Sequence, residues 1–203
     1  CEDGDPCTSG ETCTSGVCGG GMQVPQTIHY SEDFSDNIAG WQLGTEWQIS
    51  AATSSSAHNY GGPDPDSDFS TTMDDGVAGA AIGGNISTSV HGYYYLTSPL
   101  YDTSQIQGSL WAGYRRWLNS DHLPYMQNSV EVYDGTTWIT LWASGNSPGV
   151  QDSSWSSYAH DLAAYKSAQM RLRFGYKILK AGSYTVSGFN IDDVVIANVV
   201  CSL

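Results

Sequence analysis

The stretch Gln169–Ile178, QMRLRFGYKI, alternates Met170, Leu172, Phe174, Tyr176 and Ile178 with Arg171, Arg173, Gly175 and Lys177. Successive side chains of a strand point to opposite faces, so ten residues of period two read as a half-buried β-strand. The same signature recurs. SVEVYDGTTWITLWA gives two strands, Val130–Tyr133 and Trp138–Trp142, around an Asp134-Gly135 turn. SLWAGYRRWL, GYYYLTSPL and FNIDDVVIANV read as further strands, and a single short helical turn is expected at DLAAYKS. Eight to ten strands with closely spaced turns and almost no helix predict an all-β fold, an antiparallel jelly-roll β-sandwich.

The cysteines divide the chain. Cys1, Cys7, Cys13 and Cys18 fall in the opening CEDGDPCTSGETCTSGVCGGG, and Cys201 stands almost last. Such density without a CxxC or a nearby His points to disulfides in an oxidising, extracellular compartment rather than to zinc. Residues 1–21 are therefore expected to form a small disulfide-rich segment with a glycine hinge, and residues 22–203 the sandwich. Three fates are open to Cys201: pairing with the N-terminal group, pairing with another chain, or a free thiol. No leader segment is visible, so the chain reads as a mature or trimmed secreted product, and Cys1 also permits a lipoprotein start.

Charge narrows the partners. Seven Lys and Arg stand against 21 Asp and Glu, a formal net charge of −14. Phosphate-dominated nucleic-acid binding needs clustered cations, so it is not expected, nor is docking to an anionic membrane. No apolar run of about 18 residues exists to insert into a membrane.

Five of the carboxylates crowd into GGPDPDSDFSTTMDDG, residues 61–76: Asp64, Asp66, Asp68, Asp74 and Asp75. DxDxD followed by Asp75 at position twelve resembles the spacing of an EF-hand. Phe69 at position six, Asp at position twelve and the lack of flanking helices argue against that motif. A calcium loop of another kind remains, because a hard cation takes six to eight oxygens and relieves carboxylate repulsion; the alternative is a solvated acidic loop. Asp192 and Asp193 interrupt a strongly hydrophobic strand, where a buried carboxylate requires a partner: the cation, Arg171 or Arg173, or a backbone turn. The five histidines are scattered, and no GxSxG elbow or dinucleotide fingerprint appears. Glu131 and Asp134 are thinkable as a glycosidase pair, but Glu131 alternates with Val130 and Val132 and reads as an outward strand residue. The chain is thus expected not to be an enzyme. Seven Trp and 13 Tyr exceed what a core alone would use. Tyr93, Tyr94 and Tyr95 in succession must place at least one ring outward, where rings can stack on sugars or anchor a protein.

Taken in order, DFSDNIAGW, GGPDPDSDFSTTMDDGVAG, YYYLTSPL, NSVEVYDGTTWITLW, the LRF strand and GFNIDDVVIANVVC resemble the MAM-like and cleaved-adhesin jelly-roll modules of extracellular proteins. The opening segment resembles the short Cys-rich repeats of large secreted myxobacterial proteins. The resemblance covers about residues 31–201. It implies a non-catalytic module for adhesion, protein association or glycan contact, often holding a structural cation. It places Asp68-Phe69-Ser70 at the family's Asp-His-Thr loop, Asp192-Asp193 at its late acidic pair and Cys201 at its closing cysteine. Phe34-Ser35 stands where the family has Phe-Glu, which passes that carboxylate's role to Glu32, Asp33 or Asp36. The expected Ca2+ ligands are then Asp33, Asp64, Asp66, Asp68, Asp75 and Asp193. The expected partners are a protein or glycan on a cell or matrix surface, or further copies of the chain in a filament or layer; an accessory role beside a secreted hydrolase is the other reading.

Overall fold

The computed structural model describes residues 7–70 and 72–201. Four short strands come first: β1 (Thr8–Ser9), β2 (Thr12–Thr14), β3 (Val17–Gly19) and β4 (Met22–Gln23). The strands that follow are β5 (Ile28–Glu32), β6 (Gln42–Leu43), β7 (Trp47–Ala51), β8 (Gly76–Ala80), β9 (His91–Thr97) and β10 (Trp111–Ser120). The chain continues with β11 (Met126–Tyr133), β12 (Trp138–Ala143), β13 (Val150–Gln151), β14 (Ser156–Asp161), β15 (Arg171–Ile178) and β16 (Phe189–Ala197). The helical turn at DLAAYKS is a 3-10 turn over Ala163–Tyr165. No helix of the described residues is long and apolar enough to cross a membrane.

Two antiparallel sheets make the sandwich. One has five strands in the order β12-β11-β15-β9-β6; the other has seven, with the path β13-β10-β16-β8-β7, β14 beside β10 and β5 beside β16. Alternation decides what lies between them. Leu172, Phe174, Tyr176 and Ile178 of β15 and Val130 and Val132 of β11 face Tyr114, Leu118, Phe189, Ile191 and Ile196 of the larger sheet in one core. Phe174 joins the layers, its ring edge-on to Tyr114 at 5.0 Å and to Phe189 at 6.2 Å. Burying rings of this size supplies several kcal/mol per sheet contact, so each alternating strand is held in a single register.

Cys7 is disulfide-bonded to Cys201 across 194 residues, which resolves the fate of Cys201 in favour of the N-terminal group. Cys18 is also disulfide-bonded, whereas Cys13 is a free, exposed thiol. Among the described residues Cys13 is the free cysteine: it faces Cys18 across the β2–β3 hairpin, and Cys18 is already bonded. Cys1 lies outside the described residues. Within the first part of the chain β1 pairs with β4, and Cys7 ties that part to the C-terminal end.

Candidate functional site

The long connection from β7 to β8, which contains the acidic stretch, lies across the outer face of the seven-stranded sheet. Trp117 and Asn190 are register partners on β10 and β16 and alternate with the core residues Leu118 and Ile191, so their side chains point outward. Both meet the connection. The Trp117 indole donates to the Pro63 carbonyl at 3.0 Å, and the Asn190 amide donates to Asp64 at 2.7 Å. Further along, the Trp155 indole donates to the Ser67 carbonyl at 3.1 Å and the Phe69 amide donates to Asp192 at 2.8 Å. The Phe69 ring then covers the Arg115 guanidinium at 3.5 Å.

The six sequence-predicted ligands are not all brought to one place. Asp64 is 2 % exposed and belongs to a buried polar nest with Asn190 and Ser55. Burial pushes its carboxyl up to about 6, against the lowering effect of the hydrogen bonds from Asn190 and Ser55. Asp66 is exposed and Asp75 half-buried. Asp33, Asp68 and Asp193 gather with Asp192 around Arg115. Burial first, then Asp33 and Asp68, raise the Asp193 carboxyl, and Arg115 lowers it. Burial likewise raises Asp192 to about 7, the Phe69 amide opposing and Asp193 and Asp68 adding to the rise. Asp68 accepts the hydroxyls of Ser70 at 2.6 Å and Thr72 at 2.8 Å. Of the substitutes for the missing early glutamate, Glu32 accepts from the Phe34 amide and the Trp41 indole, Asp36 from the Ile38 amide and Asp33 from the Ser35 amide; Asp33 lies on the same depression as Arg115 and Asp193. Gly76, which follows Asp75, packs against the Phe34 and Ser35 backbone.

The backbone explains why Asp192 and Asp193 both serve this side. The β10–β16 register shifts between Gly113 and Arg115, and Asp193 takes φ 48°, the left-handed conformation of a bulge residue. Phe34 and Asp75 also have positive φ, at 57° and 52°, so three non-glycine residues of this type meet at one corner. A depression of about 350 Å³ opens there, lined among others by Asp33, Phe69, Arg115 and Asp193. Among the described residues no three His, Cys, Asp or Glu side chains converge into a ready-made metal cage.

A second region was not among the predicted site residues. Opposite the core positions of the five-stranded sheet, the outward row comprises Arg171, Arg173, Gly175 and Lys177 of β15, Tyr93, Tyr95 and Thr97 of β9, and Gln127, Ser129, Glu131 and Tyr133 of β11. Tyr94, between its two neighbours, packs on the core instead. Tyr93 and Tyr95 stack at 5.0 Å with 20° between their planes. One edge of the Tyr95 ring comes down on Gly175, where a Cβ would fall 2.4 Å from it. The Arg173 guanidinium sits between two rings, 3.8 Å from Tyr95 and 3.9 Å from Trp138 of β12, and its Nε donates to Glu131 at 2.8 Å. The Tyr95 hydroxyl also donates to Glu131, at 3.2 Å, and that of Tyr93 to Gln127, at 3.2 Å. Glu131 is thus the outward residue the alternation predicted, although it is buried beneath its neighbours. An open depression of about 490 Å³ continues from this row, lined among others by Gln42, Trp138, Arg171 and Arg173. The alternation of QMRLRFGYKI already set three cations on one face; that was the signal for this surface.

No protein-family model matches the chain, and no curated protein matches it. Solved structures do. A xylan-binding CBM22 domain from Paenibacillus barcinonensis is 14% identical, with 87% of this chain and 97% of that chain covered and a TM-score of 0.50. The K3 cleaved adhesin domain of Lys-gingipain from Porphyromonas gingivalis is 13% identical, with 84% and 98% covered and a TM-score of 0.44. The CBM27-1 module of Caldicellulosiruptor saccharolyticus in complex with mannohexaose is 10% identical, with 86% and 97% covered and a TM-score of 0.45. At such identities the likeness to the first is one of fold, a jelly-roll β-sandwich.

Proposed function

We propose that this chain is a non-catalytic extracellular glycan-binding module that attaches to a cell or matrix surface through the outer face of its five-stranded sheet. The observation that carries the reading is the layered unit Tyr95–Arg173–Trp138, with Tyr93 stacked beside it. Flat rings held by a neighbouring guanidinium keep their orientation, and a preorganised ring is what stacks on a sugar at low entropic cost. Gln42, exposed at the rim of the row, flanks the rings and suits sugar hydroxyls. A domain of this fold that binds xylan supports a glycan as the ligand. The disulfides at Cys7 and Cys18 support an oxidising compartment.

Within the same reading, a calcium ion stabilises the opposite face. Asp33, Asp68, Asp192 and Asp193 supply the oxygen-rich, mutually repelling set that a hard cation neutralises.

The test is affinity electrophoresis of the full chain through gels containing soluble polysaccharides, with Trp138→Ala beside it. Retardation in at least one gel, lost in Trp138→Ala at an unchanged melting temperature, is the expected result. A chain that migrates freely through every polysaccharide sinks the proposal.

A further inference from the structure

Charge is distributed on this chain against its average. Three of its seven basic residues, Arg171, Arg173 and Lys177, project from one face of one strand, in a molecule of net charge −14. The outward positions of the five strands carry one carboxylate to set against them, Glu131, and it is committed to Arg173. Lys177 lies over the Tyr93 ring at 4.4 Å, and among the described residues neither Lys177 nor Arg171 makes an ion pair. The nearest acid along the chain from Tyr133, the register partner of Arg171, is Asp134, and its carboxylate is occupied by Thr136 and Thr137. Two positive charges on this face are therefore uncompensated. One of them, Arg171, is half-buried and lines the 490 Å³ depression together with Arg173, Trp138, Tyr133, Gln42 and Gln169.

We propose that this depression takes an acidic polysaccharide, with a uronic-acid carboxylate on the Arg171 guanidinium and its sugar ring against Trp138. The inference rests on the glycan-binding reading and names its ligand class. A guanidinium presents a planar fork that matches a carboxylate bidentately, whereas a neutral sugar leaves it unneutralised. The Tyr133 and Trp138 rings, 5.2 Å apart and inclined at 40°, give the sugar ring a wall that a bare polyanion would not use. The chain as a whole is acidic, so any polyanion, a phosphate polymer included, is repelled away from this face. A polyuronate with one charge per sugar is met by a local positive field within roughly a Debye length of about 8–10 Å.

Affinity electrophoresis and calorimetry on the full chain test this with polygalacturonate, alginate and glucuronoxylan, the same polygalacturonate with its carboxylates reduced to alcohols, neutral xylan and mannan, and poly-L-glutamate. The expected result is binding to at least one polyuronate that weakens with added salt and falls about tenfold or more in Arg171→Gln, the loss of one charge-assisted hydrogen-bond pair. Carboxyl reduction is expected to cost as much, with the melting temperature of the variant unchanged. Equal affinity for the reduced polymer, or binding to neutral xylan or mannan alone, overturns the acidic ligand and leaves the glycan reading standing. Equal affinity for poly-L-glutamate overturns it as well, because charge alone is then being read. Binding to none of the polysaccharides overturns both.

Discussion

The backbone amide of Phe69 donates to the buried Asp192 carboxylate at 2.8 Å, and that bond fastens a loop 123 residues away onto the central strand of the larger sheet. Asp192→Ala leaves the amide without an acceptor and Arg115 with one acid fewer nearby. The expected cost is about 1–3 kcal/mol, the usual penalty for stranding a buried polar partner. Limited proteolysis should then cut within residues 61–76 faster than in the parent chain, and an unaltered cleavage rate would count against the anchoring role.

Chelation addresses the cation. Removing calcium with EDTA is expected to lower the melting temperature, since an ion bound to the folded state alone stabilises it by mass action. Asp68→Ala should melt at the same temperature with and without EDTA. An unmoved melting curve for the parent chain, with metal analysis showing no retained ion, would remove calcium from the account.

Asp64 makes stability depend on pH. Its carboxyl is raised from 3.8 to about 6 by burial, so the folded chain binds the proton more tightly than the unfolded one. That contribution is fully present below about pH 4 and is lost as pH rises through about 6. Asp64→Asn keeps the shape and removes the proton, so the fall in melting temperature between pH 5 and 8 should be shallower in the variant. At about 2–4 °C per kcal/mol for a chain of this size, differential scanning calorimetry resolves the difference. Parallel pH profiles for the two proteins would refute the assignment.

Gly175 controls the ring above it. A Cβ there would fall 2.4 and 2.5 Å from two Tyr95 ring atoms, so Gly175→Ala must tilt Tyr95 off the sheet and away from Arg173. Gly175 of β15 and Tyr95 of β9 are cross-strand partners on the outer face of the five-stranded sheet, opposite the core, so the sandwich should persist. The expected loss of glycan affinity is about threefold to tenfold, matching the worth of an aromatic stack, and calorimetric titration reads it directly.

The strands were legible because alternation is a local property. QMRLRFGYKI, with Leu172, Phe174, Tyr176 and Ile178 inward, is β15 as the period requires, and the Asp134-Gly135 turn joins β11 to β12 with Gly135 at φ 98°. The distribution of the acidic loop was not legible. Spacing along the chain put Asp64 and Asp68 together, but Asn190 on β16 draws Asp64 into a separate nest while the bond from the Phe69 amide to Asp192 brings Asp68 beside that carboxylate. Those partners lie more than 100 residues away in sequence for Asp64 and Asp192, where no periodicity reaches. The ring-and-guanidinium row depends on cross-strand neighbours too: Arg173 meets Tyr95 and Trp138 only once β9, β15, β11 and β12 lie side by side. A propensity argument sees each of these residues but not their adjacency.

The bond between Cys7 and Cys201 also has a mechanical meaning. Tension applied through segments attached before Cys7 and after Cys201 would pass across one covalent link and bypass the sandwich. Shear on the outer face of the five-stranded sheet would still load the sheets, but a pull along the chain would not unravel them. In an oxidising medium the module behaves as a closed shackle, and reduction opens it.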